Sequence, residues 1–476
     1  MGCRLQRLGM ASIVISLLLL PWLSNAAQSA PAIQIQRGAT LKSEPEPTLT
    51  ILTLQDAERL ALDNHPRIQA SNERVKVQRA VVGQSKAPYL PTLTFRSLYE
   101  TTTAAGQTTT AEDGFDFYSV TADVNWLIYD FGRREGTVQA AKDTLQSTRF
   151  AEQTSVEDIV LGVRQSFFDY LQAEAVVKVE QDTVKDRETL VRQARGFYEV
   201  GTRPKIDVAR AEANLFAAKS NLISAENGVQ IAWARLKNAM GVTRFRKRSV
   251  ATGVTIQRPT MSLVQAVQTA YYSRPELKET ESQLKAQREV ISVTKRDHLP
   301  VISFLGQYGG RWVEGRDPVF GPKPPPGDVK GSATQLSDPN RGNQLWRARI
   351  QFEIPLFTGF DTTYKVQENL RDYYVLKAQE EEIRQRVALE VEESFLNLMA
   401  AGERIKATEA QRKSAKENFD LANGRYQVGV GSIIEITEAQ VINTQSQTDH
   451  IRSIYDHKLA EAQLARAMGR GLGFTP

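Results

Sequence analysis

The sequence predicts an α+β membrane protein: a few strands joined to very long helices, with the whole plan written twice in one chain. Three observations carry this. Apolar residues keep helical spacing from about 132 to 198 and again from 360 to 427, lengths far beyond an ordinary globular helix. Ahead of each long helix, short segments alternate apolar and polar residues, the period of a strand with one greasy face. Landmark residues of the first half then return in the second at fixed offsets.

The chain opens with a segment that stands apart from the fold. Arg4 and Arg7 give a basic start, Ile13 to Leu20 an apolar core, and Ser24-Asn25-Ala26 a small-residue cleavage site. Residues 1–26 therefore read as a secretory signal peptide. Cys3 precedes the apolar core and is not placed to become a lipidated N-terminus. It is the single cysteine among 476 residues, so the exported chain uses neither disulfides nor thiolate metal sites. Loss of Arg4 and Arg7 lowers the basic count from 60 to 58 against 55 acids, too even a balance to imply nucleic acid as a partner. A 41% apolar fraction and a mean hydropathy of −0.37 suit a folded protein. Beyond the signal no apolar run reaches the ~18 residues of a membrane helix. Strands remain as the route across an outer membrane.

Residues 27–50, rich in Pro, Ser, Gln and Thr, read as a mobile leader. The first repeat, 51–241, starts with helical spacing from Leu54 to about Ala87, ended by Pro88 and Pro91. A strand follows over 92–101 with Leu93, Phe95 and Tyr99 on one face, then a Thr/Ala/Gly loop. The strand over 116–128 alternates more sharply, setting Tyr118, Val120, Ala122, Val124 and Trp126 against Ser119, Thr121, Asp123 and Asn125. The helix over 132–198 would reach roughly 100 Å at ~1.5 Å per residue, and needs a partner along its side. Val200-Gly201 stops it, Pro204 suits a first helical turn, and a helix of about half the length returns over 204–240.

A basic linker, 242–260, joins the second repeat, 261–470. Leu54, Ala57, Ala61, Pro66, Pro91 and Phe95 return as Leu263, Ala266, Ala270, Pro275, Pro300 and Phe304, an offset of 209 (263 against 54). Phe167, Tyr198, Val200, Gly201, Leu236, Met240 and Gly241 return as Phe395, Tyr426, Val428, Gly429, Leu464, Met468 and Gly469, an offset of 228 (395 against 167). The growth lies in the loop 311–344, with Pro322 and Pro324 to Pro326. Strands are expected over 300–310 and 345–357. In the latter Trp346, Ala348, Ile350, Phe352 and Ile354 oppose Arg347, Arg349, Gln351 and Glu353. Helices are expected over 360–427 and 432–468, and a short tail over 471–476.

Each repeat thus brings two strands, a long helix, and two half-length helices that could stack to match it. Four strands cannot close a membrane barrel, the smallest of which have about eight. An open sheet edge in lipid leaves unpaired backbone groups, each costing roughly several kcal/mol. Strands in a membrane therefore require several copies, and three copies would supply twelve strands and twelve helical columns.

The signal peptide, the doubled helix–strand–loop–strand–helix order, and the tips Tyr198-Glu-Val-Gly201 and Tyr426-Gln-Val-Gly429 resemble the TolC-type outer-membrane efflux family over about 50–470. The resemblance implies a homotrimer, with a twelve-stranded outer-membrane β-barrel continued by a long α-helical coiled-coil barrel in the periplasm. It implies an exit duct for an efflux pump or a type I secretion system. A periplasmic adaptor (membrane fusion) protein would join it to an inner-membrane transporter, and outer-membrane lipid would surround the barrel. No catalysis and no cofactor are implied.

Carried over residue by residue, Val200, Gly201, Thr202, Val428, Gly429 and Val430 match the adaptor-docking tips; the glycines are equally ordinary helix stops. Asp207, Glu435 and Glu438 match acidic positions at the periplasmic entrance, where threefold carboxylates would favour cations. Ser432-Ile-Ile-Glu435 is also a capping-box pattern. Tyr426 matches a tyrosine that holds the entrance shut against a neighbouring hairpin, and otherwise reads as a last-turn packing aromatic. Gly431 stands where some relatives have arginine, so a latch from arginine there to aspartate cannot form; Arg203 holds the equivalent offset in the first tip. Trp126, Trp312 and Trp346 suit membrane-interface anchors, or packing on a soluble core.

Enzyme chemistry finds no foothold. The four histidines, His65, His298, His450 and His457, form no ligand motif, and no phosphate loop or nucleophile elbow is present. Two other classes compete with a duct. A soluble exported coiled-coil scaffold would share the signal and the helices but has no use for one-sided apolar strands. A diffusion porin would use the strands and leave the helices idle.

Overall fold

The computed structural model describes residues 51–103, 114–243, 249–250, 261–315 and 343–471. The signal segment, the leader, most of both inter-strand loops and the end of the tail lie outside those residues. The first repeat runs β1 (Ile51–Leu52), α1 (Leu54–Asn64), α2 (Pro66–Lys86), β2 (Thr92–Thr103), β3 (Gly114–Tyr129), α3 (Arg133–Glu199) and α4 (Lys205–Ala239). The linker holds β4 (Ser249–Val250). The second repeat runs α5 (Leu263–Ser273), α6 (Pro275–Lys295), β5 (Val301–Gly315), β6 (Asn343–Glu353), α7 (Asp361–Gln427) and α8 (Ile433–Ala467).

The helical spacing from Leu54 to Ala87 is two helices rather than one. Pro66 has no N–H to donate, and His65 before it turns extended at ψ 122°, so α1 ends and α2 begins with proline in its first turn. Pro275 divides α5 from α6 in the same way. Capping boxes start both short helices: Thr53 with Asp56, and Ser262 with Gln265. Within the linker, Ser249–Val250 pairs in parallel with β1.

The four longer strands form one antiparallel sheet in the order β2-β3-β5-β6. One register row reads Phe95, Ala122, Tyr308, Trp346 across the sheet. Because side chains alternate, that face carries Leu93, Phe95, Tyr99, Trp126, Tyr308, Ile350 and Phe352, all exposed. Trp346 is 76% and Ile350 72% accessible, so none of the described residues covers the belt. The opposite face is polar: Gln307 Nε2 donates to Asp123 Oδ1 at 2.9 Å, and Arg96 lies 4.0 Å from Asp123. β6 ends at Glu353, short of 357, because Pro355 cannot donate to a ladder.

Tight turns with two consecutive left-handed residues lead from sheet to helix: Phe131 (φ 56°) and Gly132 (φ 85°) before α3, Gly359 (φ 64°) and Phe360 (φ 66°) before α7. Arg134 fastens the first junction, donating to the carbonyls of Leu127 (2.7 Å), Ile128 (2.9 Å) and Pro88 (3.0 Å).

α3 and α7 each span 67 residues, and the half-helices fill the slots beside them. α2 and α4 pack on α3, while α6 and α8 pack between α3 and α7. Half-helices meet end to end where no side chain would fit. A Cβ on Gly241 would fall 2.7 Å from the His65 Cα, and one on Gly469 2.8 Å from the Arg274 nitrogen. Apolar clusters sit beside both joints, around Phe167, Tyr170 and Trp233 in one and Val391, Leu398 and Leu464 in the other. A third cluster fills the helix ends remote from the sheet. Among the described residues no helix is long and apolar enough to cross a membrane.

Candidate functional site at the hairpin tips

Both long helices end in the same motif. Thr202 N donates to Phe197 O (2.9 Å) and Gly201 N to Tyr198 O (3.0 Å); Val430 N donates to Arg425 O (3.0 Å) and Gly429 N to Tyr426 O (3.1 Å). These paired bonds satisfy the last carbonyls and require a left-handed residue, which Gly201 (φ 76°) and Gly429 (φ 85°) supply. The turn pushes Val200 and Val428 outward, 72% and 74% exposed, with Val430 beside them. Thr202 is exposed too, although its hydroxyl donates to Phe197 O at 2.9 Å. Each tip is a small apolar knob on a rigid stop.

Within one chain the two tips are clasped together. Tyr426 is fully buried, with its ring edge-on to Phe197 (5.7 Å, 78°). The Arg203 guanidinium lies 5.6 Å from the centre of that ring, and its Nη2 donates to Gly429 O (2.8 Å) and Gly431 O (2.6 Å). A Cβ at 431 would fall 2.9 Å from the Tyr426 nitrogen, so glycine at that position follows from the turn itself. Arginine therefore reaches this site from the first tip, and its partners are carbonyls rather than aspartate. Asp207 is buried in the first turn of α4. Burial pushes the Tyr426 hydroxyl pKa up and the nearby Asp207 charge pushes it further, while Arg203 opposes both.

The other two acids lie outside this junction. Ser432 Oγ accepts from Glu435 N at 3.1 Å, but the Glu435 carboxylate turns to Arg425 Nε at 3.0 Å. The capping box is thus one-sided, and Glu435 pairs with Arg425 instead. Glu438 is exposed one turn further along α8. Of the four gate candidates, Asp207 and Tyr426 share a buried junction and Glu435 and Glu438 share an exposed helix face.

The tryptophans occupy the other end. Trp126 pairs with Phe304, Trp346 with Tyr308 and Trp312 with Tyr118. Trp126 and Trp312 are thus eight residues of β5 apart (304 to 312), about 27 Å along the strand, with Trp346 midway between them. Trp126 Nε1 donates to Tyr89 O at 3.1 Å.

Sequence periodicity missed the charges at the α6–α8 joint, where helix-face spacing gives no sign that a charge is enclosed. Arg466 binds Asp158 (2.7 Å) and Glu276 (2.6 Å), and Arg274 binds Glu276 (3.0 Å) and Glu390. Nearby Glu157 is buried, and burial followed by repulsion from Glu276 raises its pKa to about 7. The histidines remain apart: His450 Nε2 meets Glu409 at 3.0 Å, and His457 Nδ1 meets Glu461 at 3.3 Å.

Residues 58–242 and 266–470 match the family model described as outer membrane efflux protein. The chain belongs to the outer membrane efflux protein family. It is similar to Protein CyaE of Bordetella pertussis, 25% identical over 427 residues that cover 88% of this chain and 83% of that protein. Outer membrane protein TolC of Escherichia coli is 21% identical over 396 residues, 82% of this chain and 76% of its own. The Campylobacter jejuni CmeC outer membrane channel shares the fold, with a TM-score of 0.72 at 15% identity over 88% of this chain and 86% of that one. Outer membrane efflux proteins are channels, and this one is an exit duct of the outer membrane with its helical part in the periplasm.

Proposed function

We propose that three copies of this chain close one twelve-stranded barrel, and that their helices continue it as a tunnel gated at the tips. The unpaired flanks of the single chain are the observation that carries this reading. β2 and β6 are open sheet edges, which lipid does not tolerate. On the helical side α4 carries an exposed stripe of Ile206, Phe216, Ile223 and Ile231, and α7 one of Leu389, Leu396 and Leu421. Each stripe lies on an outer column of the described helices, so α7 of one copy would seat on α4 of the next. The aromatic belt would face lipid, with Trp126 and Trp312 towards its two rims and Trp346 at mid-depth. The polar face with Asp123, Gln307 and Arg349 would line the pore.

In the same reading the knobs at 200–202 and 428–430 receive a periplasmic adaptor, which couples the duct to an inner-membrane transporter for efflux or type I secretion. The clasped tips are the closed state. Adaptor binding would favour an open state in which Arg203 has left the second tip. Glu435 and Glu438 would form threefold carboxylate sets at the entrance. Single-channel recording in planar bilayers tests this: Glu435→Gln with Glu438→Gln should lower cation preference severalfold. Unchanged selectivity would remove both acids from the entrance. Thr202→Trp or Val430→Trp should block adaptor capture while leaving conductance intact.

A further inference from the structure

Where α3 meets α8, several turns from the tips, three buried polar side chains carry atoms with no hydrogen-bond partner among the described residues. Thr183 and Thr444 touch across the seam, Oγ1 to Oγ1 at 3.0 Å. The helices run antiparallel, so one turn closer to the tips Arg187 stands level with Gln440, and Asn443 lies within the same turn. Arg187 is 6%, Gln440 2% and Asn443 6% accessible. Arg187 Nε and Nη1, Gln440 Nε2 and Asn443 Oδ1 have no hydrogen-bond partner among the described residues. Arg187 has no ion pair there either; burial pulls its pKa down, opposed only by its neighbour Asp186. Asp186 sits about 100° round the helix, and its charge is also coupled to Asp182 of α3 and to Lys416 and Asp420 of α7.

A guanidinium stays charged at any pH the protein meets, and a buried unpaired charge is strongly unfavourable. Three donor nitrogens and one acceptor oxygen lie within about one turn of each other along the seam, and the Arg187 charge has no ion-pair partner among the described residues. One water molecule can accept from two of the donors but leaves the charge uncompensated. Arg187 is only 6% accessible where α3 packs on α4 and α8, which leaves a second chain little of the guanidinium to reach. Directly tipward the seam is closed by the apolar cluster of Leu190, Val191, Ile433 and Ile436. A small monatomic anion would supply both the missing charge and an acceptor for the donor nitrogens.

We propose that a halide ion, chloride in the cell, binds between α3 and α8, held by the Arg187 guanidinium and the Gln440 amide. It ties the first repeat to the second in the seam that connects both hairpins. The site is independent of how the tips gate or what they dock.

The test uses the full assembly in detergent. Crystals grown in sodium bromide should show an anomalous peak beside Arg187 between the two helices; ordered water there without such a peak would overturn the proposal. In solution, replacing gluconate by chloride at equal ionic strength should raise the unfolding temperature by several degrees, and Arg187→Met should abolish that shift. Should Arg187→Met fail to assemble, Gln440→Leu keeps the charge and should weaken the chloride dependence several-fold. A shift that survives unchanged in Gln440→Leu, or that wild type lacks, would count against the site.

Discussion

At the scale of single residues, Arg203 and Glu157 carry the sharpest consequences. Arg203 gives two charge-assisted hydrogen bonds to the second tip. Arg203→Ala should release roughly 1–2 kcal/mol of closed-state stability, shifting the closed-to-open ratio about tenfold. The check is open probability in planar bilayers; an unchanged value would make the clasp incidental. Glu157 acts through pH. Its carboxyl titrates at about 7 in the folded chain, above an ordinary glutamate, so folding favours the protonated form. That contribution is complete below the ordinary glutamate range and is lost as pH rises through about 7. The unfolding temperature should therefore fall between pH 5 and pH 8, and Glu157→Gln should flatten the slope and raise the value at pH 8. Glu157 does not announce itself in the sequence. Arg203 lies beside the tip motif, where its offset is visible but its carbonyl partners are not. Glu157 and Arg187 look like wet helix surface, because helical spacing does not tell which polar face a third helix will cover.

Secondary-structure elements were far more legible, for a physical reason. Strands such as β3 and β6 carry an apolar face and a polar one, and that contrast is written directly into their alternation. The turns at Gly201 and Gly429 were legible because only a left-handed residue closes that cap. Apolar spacing continues through Pro66, so periodicity hides the helix break that the backbone makes there. The β1–β4 pair is two residues long and has no periodicity to read. The two faces of the sheet give a paired prediction. Ala348→Arg places a charge on the exposed apolar face and should cost about 2–4 kcal/mol in the barrel, seen as loss of heat-resistant assembly from outer-membrane fractions. Arg349→Gln, one residue on and on the polar face, should assemble normally and change only ion selectivity. Equal behaviour of the two variants would deny the sheet its orientation.

For the whole molecule, the duplicated plan explains both what one chain accomplishes and what it leaves undone. Each repeat contributes a strand pair, a long helix and two abutting half-helices, and the repeats join through α3 with α6 and α8. The doubling itself could be read from fixed offsets, since equivalent joints need the same glycines and prolines. How the flanks are covered could not, since an exposed apolar stripe on α4 or α7 has the same spacing as a buried one. The central claim is that copies complete each other. The most direct measurement is the mass of the detergent-extracted protein by light scattering with the detergent contribution subtracted. Three chains per particle are expected, whereas a stable single chain, with its sheet edges and helical flanks uncovered, would contradict the shared barrel.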